Sequence, residues 1–477
     1  MVKLYTNDWF YNMGLVGLIR IFEANDIPII KAENFIEFDI KCLEKFSEYY
    51  FNYLIKEYNF KTRYGKRIDY YLSGMKKEDK FKDNLDKFKK LIDECLRKLK
   101  GTKYEEQIND MKNRMKKFKK KEDFDEIEKI IIELRELLFS DDGIEIKFAL
   151  NFVRGILYDN YFGQVSFLQK SMARASLGDH IKVMDSDSVR PIIVQFTIQE
   201  MINNGESLEK ITEYLEEQKD KLKKSKREYY ETILKKIGKK EKEVIINDLS
   251  LKENPTCSLC GEYKQFDENF TEGVFVPLGV SSKNTYNMFW NFDTEYPLCD
   301  MCKLVMLCAP AGGVTLNKYY LQEDTYYQSF VNLDTGIKDM YKINQNFKER
   351  NNEENPFASL ILNVVEELKS ESIWTLQNIL YVEFNAKYES KGCNLNYFNI
   401  PKYKAVFFRD YGEKTLAKMW DRKFKMKLLD YIVQDRNINS LINNRIYDLI
   451  KSNQNGYDCI LAINSKYLLN QLKKQRG

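Results

Sequence analysis

Two Cys-x-x-Cys pairs constrain this chain more than any other feature of its sequence. Cys257 and Cys260 form the first pair, and Cys299 and Cys302 form the second, after the intervening segment 261–298. Two residues between cysteines let both thiolates face one ion, and two such pairs complete the tetrahedral four-sulfur shell that zinc prefers. A closed shell leaves no position for water or substrate, so the sequence predicts a structural zinc site. Ordinary buried cysteines, a redox pair and an iron–sulfur cluster are the alternatives.

The chain contains a single histidine, His180. Because histidine supplies most general bases near neutral pH, its scarcity excludes paired-histidine metal chemistry and favours a non-catalytic binding protein. The acidic residues Asp179, Asp185 and Asp187 lie close to it in sequence and keep a metal-dependent enzyme acting on nucleic acid as an alternative. Asp and Ser also populate polar turns readily, which is the simpler interpretation of that cluster. A zinc-stabilised scaffold without nucleic acid is a third possibility.

The overall composition indicates a folded chain with a mixed surface charge. Its 477 residues carry a formal net charge of +4, so any nucleic-acid binding needs local basic patches rather than the field of the whole protein. No apolar run is long enough to cross a bilayer. Close-spaced cysteines without an export signal favour a reducing compartment, and we expect a cytoplasmic protein without membrane contact.

The hydrophobic pattern predicts an α+β, multidomain protein. Residues 1–250 are predicted to form an N-terminal α/β body, with a charged helical coiled-coil hairpin inserted at about residues 76–140. Residues 251–320 form the predicted four-cysteine zinc module, residues 321–412 a mixed α/β segment, and residues 413–477 a small C-terminal helical bundle.

Residues 9–23 are apolar on nearly every side, which predicts a buried helix with Asn7 or Asp8 as its N-cap. Asn12 in that setting needs a polar partner. In the charged hairpin, apolar residues recur at spacings of three and four on both sides of Gly101, which marks the break between its halves. The basic run 112–121 is a secondary candidate for phosphate contact, although a solvated face is the more common explanation of such a run.

The segment between the two cysteine pairs contains residue types suited to reading DNA. Asn and Ser side chains bond base edges, Lys neutralises phosphate, and Trp or Tyr stacks or wedges between bases. An ordinary surface loop has the same composition, so chemistry alone leaves both interpretations open. The candidate nucleic-acid contacts in this loop are Ser282, Lys283, Asn284, Asn287 and Trp290.

Several motifs, taken in order, resemble the large subunit of type I-B CRISPR Cascade interference complexes of the Tneap or Cst group. They are WFYNMGLVGLIR near the N-terminus, SFLQKS at 166–171, TCSLCG followed by FVPLGVSSKN and MFW, and PLCDMCKLVMLCAPAGG. The resemblance extends over most of residues 1–320. Only for the four cysteines does the resemblance assign a role, metal ligation, to individual residues of this sequence.

The resemblance implies a non-enzymatic subunit of an RNA-guided antiviral surveillance complex. Such a subunit recognises the protospacer-adjacent motif (PAM) of duplex target DNA and promotes strand opening, while a recruited helicase-nuclease cleaves. The implied partners are CRISPR RNA, the backbone Cascade subunits, target double-stranded DNA and that helicase-nuclease. A second group of candidate nucleic-acid contacts lies near the SFLQKS motif and comprises Asn160, Gln164, Lys170 and Arg174.

Overall fold

The structure is a computed structural model that describes residues 1–140, 142–162, 165–169, 171–172, 175–237, 239–266, 270–271, 295–317, 326–334, 336–349, 379–387, 392–412, 414–452 and 455–474. These residues combine helices with small antiparallel sheets, which confirms the predicted α+β class. The chain divides into two compact units. The first unit comprises Met1–Ser47, Tyr158–Ser166 and Met184–Gly477, and the second unit comprises Glu48–Leu157 and Phe167–Val183.

Helices and strands are numbered in chain order. The helices are α1 (Trp9–Glu23), α2 (Phe46–Glu57), α3 (Phe60–Met75), α4 (Phe81–Lys98), α5 (Glu105–Met115), α6 (Phe124–Phe139), α7 (Asp142–Ile156), α8 (Leu177–Met184), α9 (Arg190–Asn203), α10 (Leu208–Gln218), α11 (Lys224–Lys236), α12 (Lys242–Leu249), α13 (Asp300–Leu307), α14 (Ala309–Gly312), α15 (Ile337–Glu349), α16 (Lys402–Tyr411), α17 (Arg422–Val433), α18 (Ile438–Ser452) and α19 (Tyr457–Lys474). The strands are β1 (Val2–Tyr5), β2 (Ile30–Lys31), β3 (Phe35–Phe38), β4 (Phe270–Thr271), β5 (Glu295–Tyr296), β6 (Val314–Asn317), β7 (Tyr326–Asn332), β8 (Ile379–Lys387) and β9 (Gly392–Ile400).

The second unit has a helical core built by α3 to α7. Its buried side chains run from Phe60 on α3 to Ala149 on α7, and the predicted charged insertion contributes the apolar faces of α4, α5 and α6. Gly101 marks the predicted break, where its φ of 78° uses a left-handed conformation that costs glycine little. The helices of the insertion are therefore stabilised by packing their apolar faces against one another and against the flanking helices α3 and α7.

The second half of the charged segment is divided into two helices, α5 and α6. A lysine-rich stretch, 116–121, lies between them, and closely spaced like charges disfavour a continuous helix. Several charges of the predicted basic run already have partners: Lys112 lies 2.8 Å from Asp93, and Arg114 lies 2.7 Å from Glu133. These pairs support the interpretation of the run as a solvated surface.

In the first unit, α1 is buried along almost its whole length, as the sequence predicts. Asp8 is its N-cap, because its Oδ1 accepts hydrogen bonds from the backbone N–H groups of Phe10 and Tyr11 at 2.8 and 2.9 Å. Buried Asn12 has the polar partner it needs, since its Nδ2 donates to Asn332 Oδ1 at 2.8 Å. The apolar helix thus enters the core without leaving this amide unsatisfied.

A buried arginine joins α1 to the elements that follow the second cysteine pair. Arg20 is 3% exposed, and its guanidinium donates to the carbonyl oxygens of Ala311, Gly312 and Asn344 at 2.9, 2.9 and 2.7 Å. These carbonyls belong to the short helix α14 and to α15. One charged side chain therefore satisfies acceptors on two neighbouring helices.

The largest sheet consists of β6, β7, β8 and β9, paired antiparallel in chain order. Phe384 of β8 contacts the ring of Trp9 on α1, with centroids 6.1 Å apart. On β8, Tyr381 contacts Phe347 of α15 at 6.3 Å. A smaller sheet in the order β1-β3-β2 lies at the N-terminus, and β4 pairs with β5.

The C-terminal helices α16 to α19 pack together, and α16 lies before residue 413, where the helical bundle was predicted to begin. Buried Asp458 accepts hydrogen bonds from the backbone N–H groups of Trp420 and Asp421, at 3.0 and 2.7 Å. Asp421 in turn caps α17 by accepting from Phe424 N at 3.0 Å. These two carboxylates stabilise the start of α17 and hold it against the start of α19.

Candidate metal centre

The first cysteine pair lies in a tight turn. Cys257 N donates to Tyr263 O at 2.8 Å, and Gly261 N donates to Cys257 O at 2.9 Å. Gly261 has a φ of 66°, which closes the turn in a conformation that glycine adopts readily. The backbone thereby turns both sulfurs of the pair toward the same point.

The second pair is placed by the start of α13. Cys299 is the N-cap of this helix, and its Sγ accepts from Cys302 N at 3.4 Å. The two turns are also joined directly, because Ser258 N donates to Pro297 O at 2.9 Å. Segments distant in sequence are thus held side by side.

The four sulfur atoms converge, as the spacing predicts. The Sγ atoms of Cys257, Cys260, Cys299 and Cys302 all lie within 4.8 Å of one another. Zn–S bonds of about 2.3 Å place sulfurs about 3.8 Å apart in a tetrahedron, and Cys260 Sγ lies 3.9 Å from Cys299 Sγ. The donor set and its dimensions therefore fit a tetrahedral thiolate-bound metal ion.

The protonation of these thiols is coupled. Hydrogen bonding with Cys260, and then with Cys299 and Cys302, lowers the pKa of Cys257. Hydrogen bonding with Cys257 raises the pKa of Cys302. Hydrogen bonding with Cys257 raises the pKa of Cys260, but hydrogen bonding with Cys299 and Cys302 outweighs it and lowers that pKa to about 7. The four thiols therefore share their protons unequally, and a bound cation would replace those protons because metal ligation deprotonates cysteine.

Residues from the N-terminus of the chain support both turns. Asn7 Nδ2 donates to Leu259 O at 2.7 Å inside the first turn. Tyr11 Oη lies 3.9 Å from Cys302 Sγ, and burial, followed by the charge of Cys302, raises the pKa of Tyr11. Such contacts orient the ligands around a metal and were not predicted from sequence. In the sequence, Asn7 and Tyr11 are distinguished only by the polar atom that each carries at or near the start of an otherwise apolar helix.

A buried ion pair holds the second turn against α11. Lys226 is 3% exposed, and its Nζ bonds the Asp300 carboxylate and lies 4.6 Å from the centre of the Phe266 ring. Lys303 Nζ lies 3.5 Å from the same carboxylate. Burial alone would raise the pKa of Asp300, but the two lysines outweigh it and lower that pKa. Asp300 directly follows Cys299, so the pair anchors a ligand-bearing turn.

Cys308 is a core residue and lies outside the four-sulfur group. It is fully buried, and its Sγ donates to Leu304 O at 3.2 Å. Burial raises its pKa. Among the residues that the structure describes, the four cysteines are the only group of three or more His, Cys, Asp or Glu ligands placed to hold one metal ion.

The predicted nucleic-acid contacts can be located only in part. Asn160 lies in the first unit, where its Oδ1 accepts from Ala386 N of β8 at 3.4 Å. The other candidates lie outside the described residues, namely Gln164, Lys170, Arg174, Ser282, Lys283, Asn284, Asn287 and Trp290.

His180 and the acidic residues near it have structural partners. His180 is 1% exposed, its Nδ1 lies 2.8 Å from Phe167 O, and burial lowers its pKa. Asp179 accepts hydrogen bonds from Ser176 at the start of α8. In the first unit, Asp185 lies 3.3 Å from Arg190 and Asp187 lies 3.7 Å from Lys223.

Fold and site together define a mixed helix and sheet protein with a closed four-sulfur arrangement that can hold a metal ion. Residues 250–314 match the model of a family described as CRISPR-associated protein (Cas_CXXC_CXXC). This segment contains all four cysteines, and the match supports a role in a CRISPR system. No curated protein and no solved structure matches the chain. Among the described helices, none is both long and apolar enough to span a membrane.

Proposed function

We propose that this chain is the non-catalytic large subunit of a type I-B CRISPR surveillance complex. In this role it recognises the PAM of duplex target DNA, promotes strand opening and recruits the helicase-nuclease that cleaves. One observation carries the proposal: the segment that matches a CRISPR-associated family is the segment in which four cysteines converge.

The metal centre acts in this proposal as a structural clamp. The two turns meet through the four sulfurs and through Ser258 N and Pro297 O, so they hold the two ends of segment 261–298 at a fixed separation. We propose zinc as the ion, because four thiolates in a closed tetrahedral shell suit it. The ion then organises the loop that carries Lys283 and Asn284 and does not itself contact DNA.

The absence of catalysis is part of the proposal. The single histidine is buried against a backbone carbonyl, and a general base must instead reach the proton that it abstracts. Cleavage is assigned to the recruited helicase-nuclease, while CRISPR RNA and the backbone Cascade subunits are the proposed cytoplasmic partners.

Co-purification from cells that carry the neighbouring genes tests the assignment. CRISPR RNA and backbone subunits recovered with the full chain support it. Metal-stimulated DNA cleavage by the isolated chain would instead favour the enzyme alternative. If no CRISPR RNA or backbone subunit co-purifies and the isolated chain does not cleave DNA, a zinc-stabilised scaffold would be favoured.

Motif recognition has its own test in the assembled complex. Replacing Lys283 and Asn284 together with alanine should weaken binding to duplex DNA that carries the correct motif, by about tenfold or more if two charge-assisted or polar contacts are lost. Binding to a guide-complementary single strand should change little, because base pairing supplies that interaction. The matched control replaces the exposed pair Lys77 and Asn52 with alanine. Equal losses of affinity for both DNA substrates would indicate that residues outside this loop recognise the motif.

A further inference from the structure

A basic pocket lies within the C-terminal helices, away from the four cysteines in sequence. It has a volume of about 190 Å³ and is formed by α16, the turn between α17 and α18, and α19. Four cationic side chains from these elements line it, namely Lys404, Arg436, Lys466 and Lys473. We call this cavity the basic pocket.

The negative charge that lines the basic pocket is already paired. Asp435 accepts a hydrogen bond from Lys404 Nζ at 2.7 Å and one from Tyr403 Oη at 3.1 Å. Lys404 is 1% exposed, and its Nζ also donates to Val433 O at 2.9 Å. Asp435 has a φ of 54°, uncommon for a residue with a side chain, and these bonds hold it there. The carboxylate thus compensates the buried lysine.

Three cations of the basic pocket have no such compensation. Within the described part of the chain, no carboxylate oxygen lies within 4.0 Å of the charged nitrogens of Arg436, Lys466 or Lys473. Lys466 bonds the neutral amide of Asn439, and Lys473 Nζ lies 5.9 Å from the centre of the Tyr403 ring. Like charges around one cavity repel one another, so an anion that enters it is bound favourably.

The start of α18 adds to this positive potential. Ile438, the first residue of this helix, lines the pocket, and Asn437 caps the helix by accepting from Asn439 N at 3.0 Å. The N-terminus of a helix favours anions because its first backbone N–H groups lack partners within the helix. Tyr431 also lines the pocket, with its ring 5.7 Å from the Arg436 guanidinium.

We infer that the basic pocket binds a phosphate ester, with the phosphate held by Arg436, Lys466 and Lys473 beside the N-terminus of α18. Arginine and lysine side chains supply the charge-assisted hydrogen bonds that phosphate oxygens accept. Tyr403 and Tyr431 flank the site and offer aromatic surface to a base or sugar. A free nucleotide and a nucleic-acid strand share this chemistry. The inference uses neither the metal centre nor the loop that carries Lys283.

Binding of adenosine 5′-monophosphate, adenosine and a single-stranded DNA 12-mer to the full chain as purified tests the inference. Titration calorimetry and fluorescence anisotropy measure the affinities. Replacing Arg436, Lys466 and Lys473 together with glutamine should weaken phosphate-dependent binding by about tenfold or more, because charge-assisted hydrogen bonds are lost. The control replaces Lys423, Lys425 and Lys427 of α17 with glutamine, which removes the same charge outside the pocket. Thermal unfolding checks that both variants fold.

Each result bears on the inference. Binding of the monophosphate but not adenosine, lost only in the pocket variant, supports it and shows that a mononucleotide suffices. Binding of the DNA alone, with the same loss, supports a strand as the phosphate source. Equal loss in both variants, equal affinity for adenosine and its monophosphate, or no binding by the unaltered chain overturns it. None of these results depends on whether the chain assembles with CRISPR RNA.

Discussion

At the scale of single residues, the four thiols act as one group because each alters the proton affinity of the others. Tyr11 adds a polar atom near Cys302, and Asp300 joins the same turn to Lys226. Ligands and supporting contacts together define the site, since ligand orientation depends on the surrounding hydrogen bonds.

The first prediction concerns the metal itself. Elemental analysis of the purified chain should find about one zinc ion per molecule, because four thiolates complete one tetrahedral shell. Replacing Cys260 with serine should abolish most of this content, whereas the control substitution Cys42→Ser should leave it unchanged, since Cys42 lies outside the four-sulfur group. A folded, unaltered protein without metal would contradict the zinc assignment.

Glu94 in the second unit is the centre of a partly buried charge cluster. Its carboxylate accepts from Tyr64 Oη, from Lys98 Nζ at 2.7 Å and from Arg67 Nη1 at 3.2 Å. Burial alone would raise the pKa of Glu94, but these partners outweigh it and lower that pKa to about 2. The ionised carboxylate therefore stabilises the folded unit.

The second prediction follows from the sign of that shift. A carboxyl group whose pKa is lower in the folded state contributes stability above its unfolded pKa, and this contribution is lost as the pH falls from 4.5 toward 2. We expect Glu94→Gln to remove about 1–2 kcal/mol at pH 7, after allowance for solvent screening, and to flatten the acid dependence. Hydrogen exchange of α3 and α4 in urea measures this. The exposed control Glu136→Gln should behave like the unaltered chain, and an unchanged acid dependence in Glu94→Gln would contradict the prediction.

At the scale of elements, α1 packs closely against the segment that follows the second cysteine pair. A Cβ atom at Gly14 would lie 2.2 Å from Val305 O, and one at Gly17 would lie 1.9 Å from Cys308 O. Both acceptors belong to the backbone, which cannot move away as a flexible side chain can. The two glycines thus allow α1 to pack closely against α13, the helix that contains Cys302, and against Cys308, which follows it.

The third prediction tests this approach. Gly14→Ala should lower the free energy of unfolding by about 1–3 kcal/mol, because the added methyl group forces the helix away from its neighbours. The metal affinity should fall as well, since Tyr11 and Asn7 move with α1. Urea unfolding and chelator competition measure the two effects. Gly456→Ala is the control, because a Cβ there meets no atom within 4 Å. Equal effects of both substitutions would indicate that the close approach is unimportant.

At the scale of the whole molecule, the two units have separate cores. The core of the second unit, from Phe60 to Ala149, contains none of the four converging cysteines. The metal centre, the largest sheet and the C-terminal bundle all belong to the first unit. Loss of the metal therefore should not affect both units equally.

The fourth prediction makes this difference measurable. A strong chelator should increase amide hydrogen exchange in α1 and α13, because a structural metal contributes directly to the stability of the fold around it. Amides of α4 and α6 in the second unit should keep their protection. Re-addition of zinc provides the control by restoring protection in α1 and α13. Equal loss of protection in both units would show that they do not respond separately.

Local patterns in the sequence were enough to identify the four cysteines and the buried helix α1, and they narrowed the cap of this helix to Asn7 or Asp8. Each of these depends on residues a few positions apart, and such spacings map directly onto turns and helix faces. The break at Gly101 was predictable for the same reason. The division of the charged segment at 116–121 was missed because helical periodicity continues across it.

Only the tertiary structure decided which distant residues support the site. Lys226 meets Asp300, Asn7 meets Leu259, and Lys466 shares the basic pocket with Arg436. These contacts join separate helices and turns, and neither composition nor periodicity specifies which elements pack together. The sequence by itself determined which four cysteines converge, because the spacing within each pair is a local property. The structure determined what surrounds them, because packing depends on the whole chain.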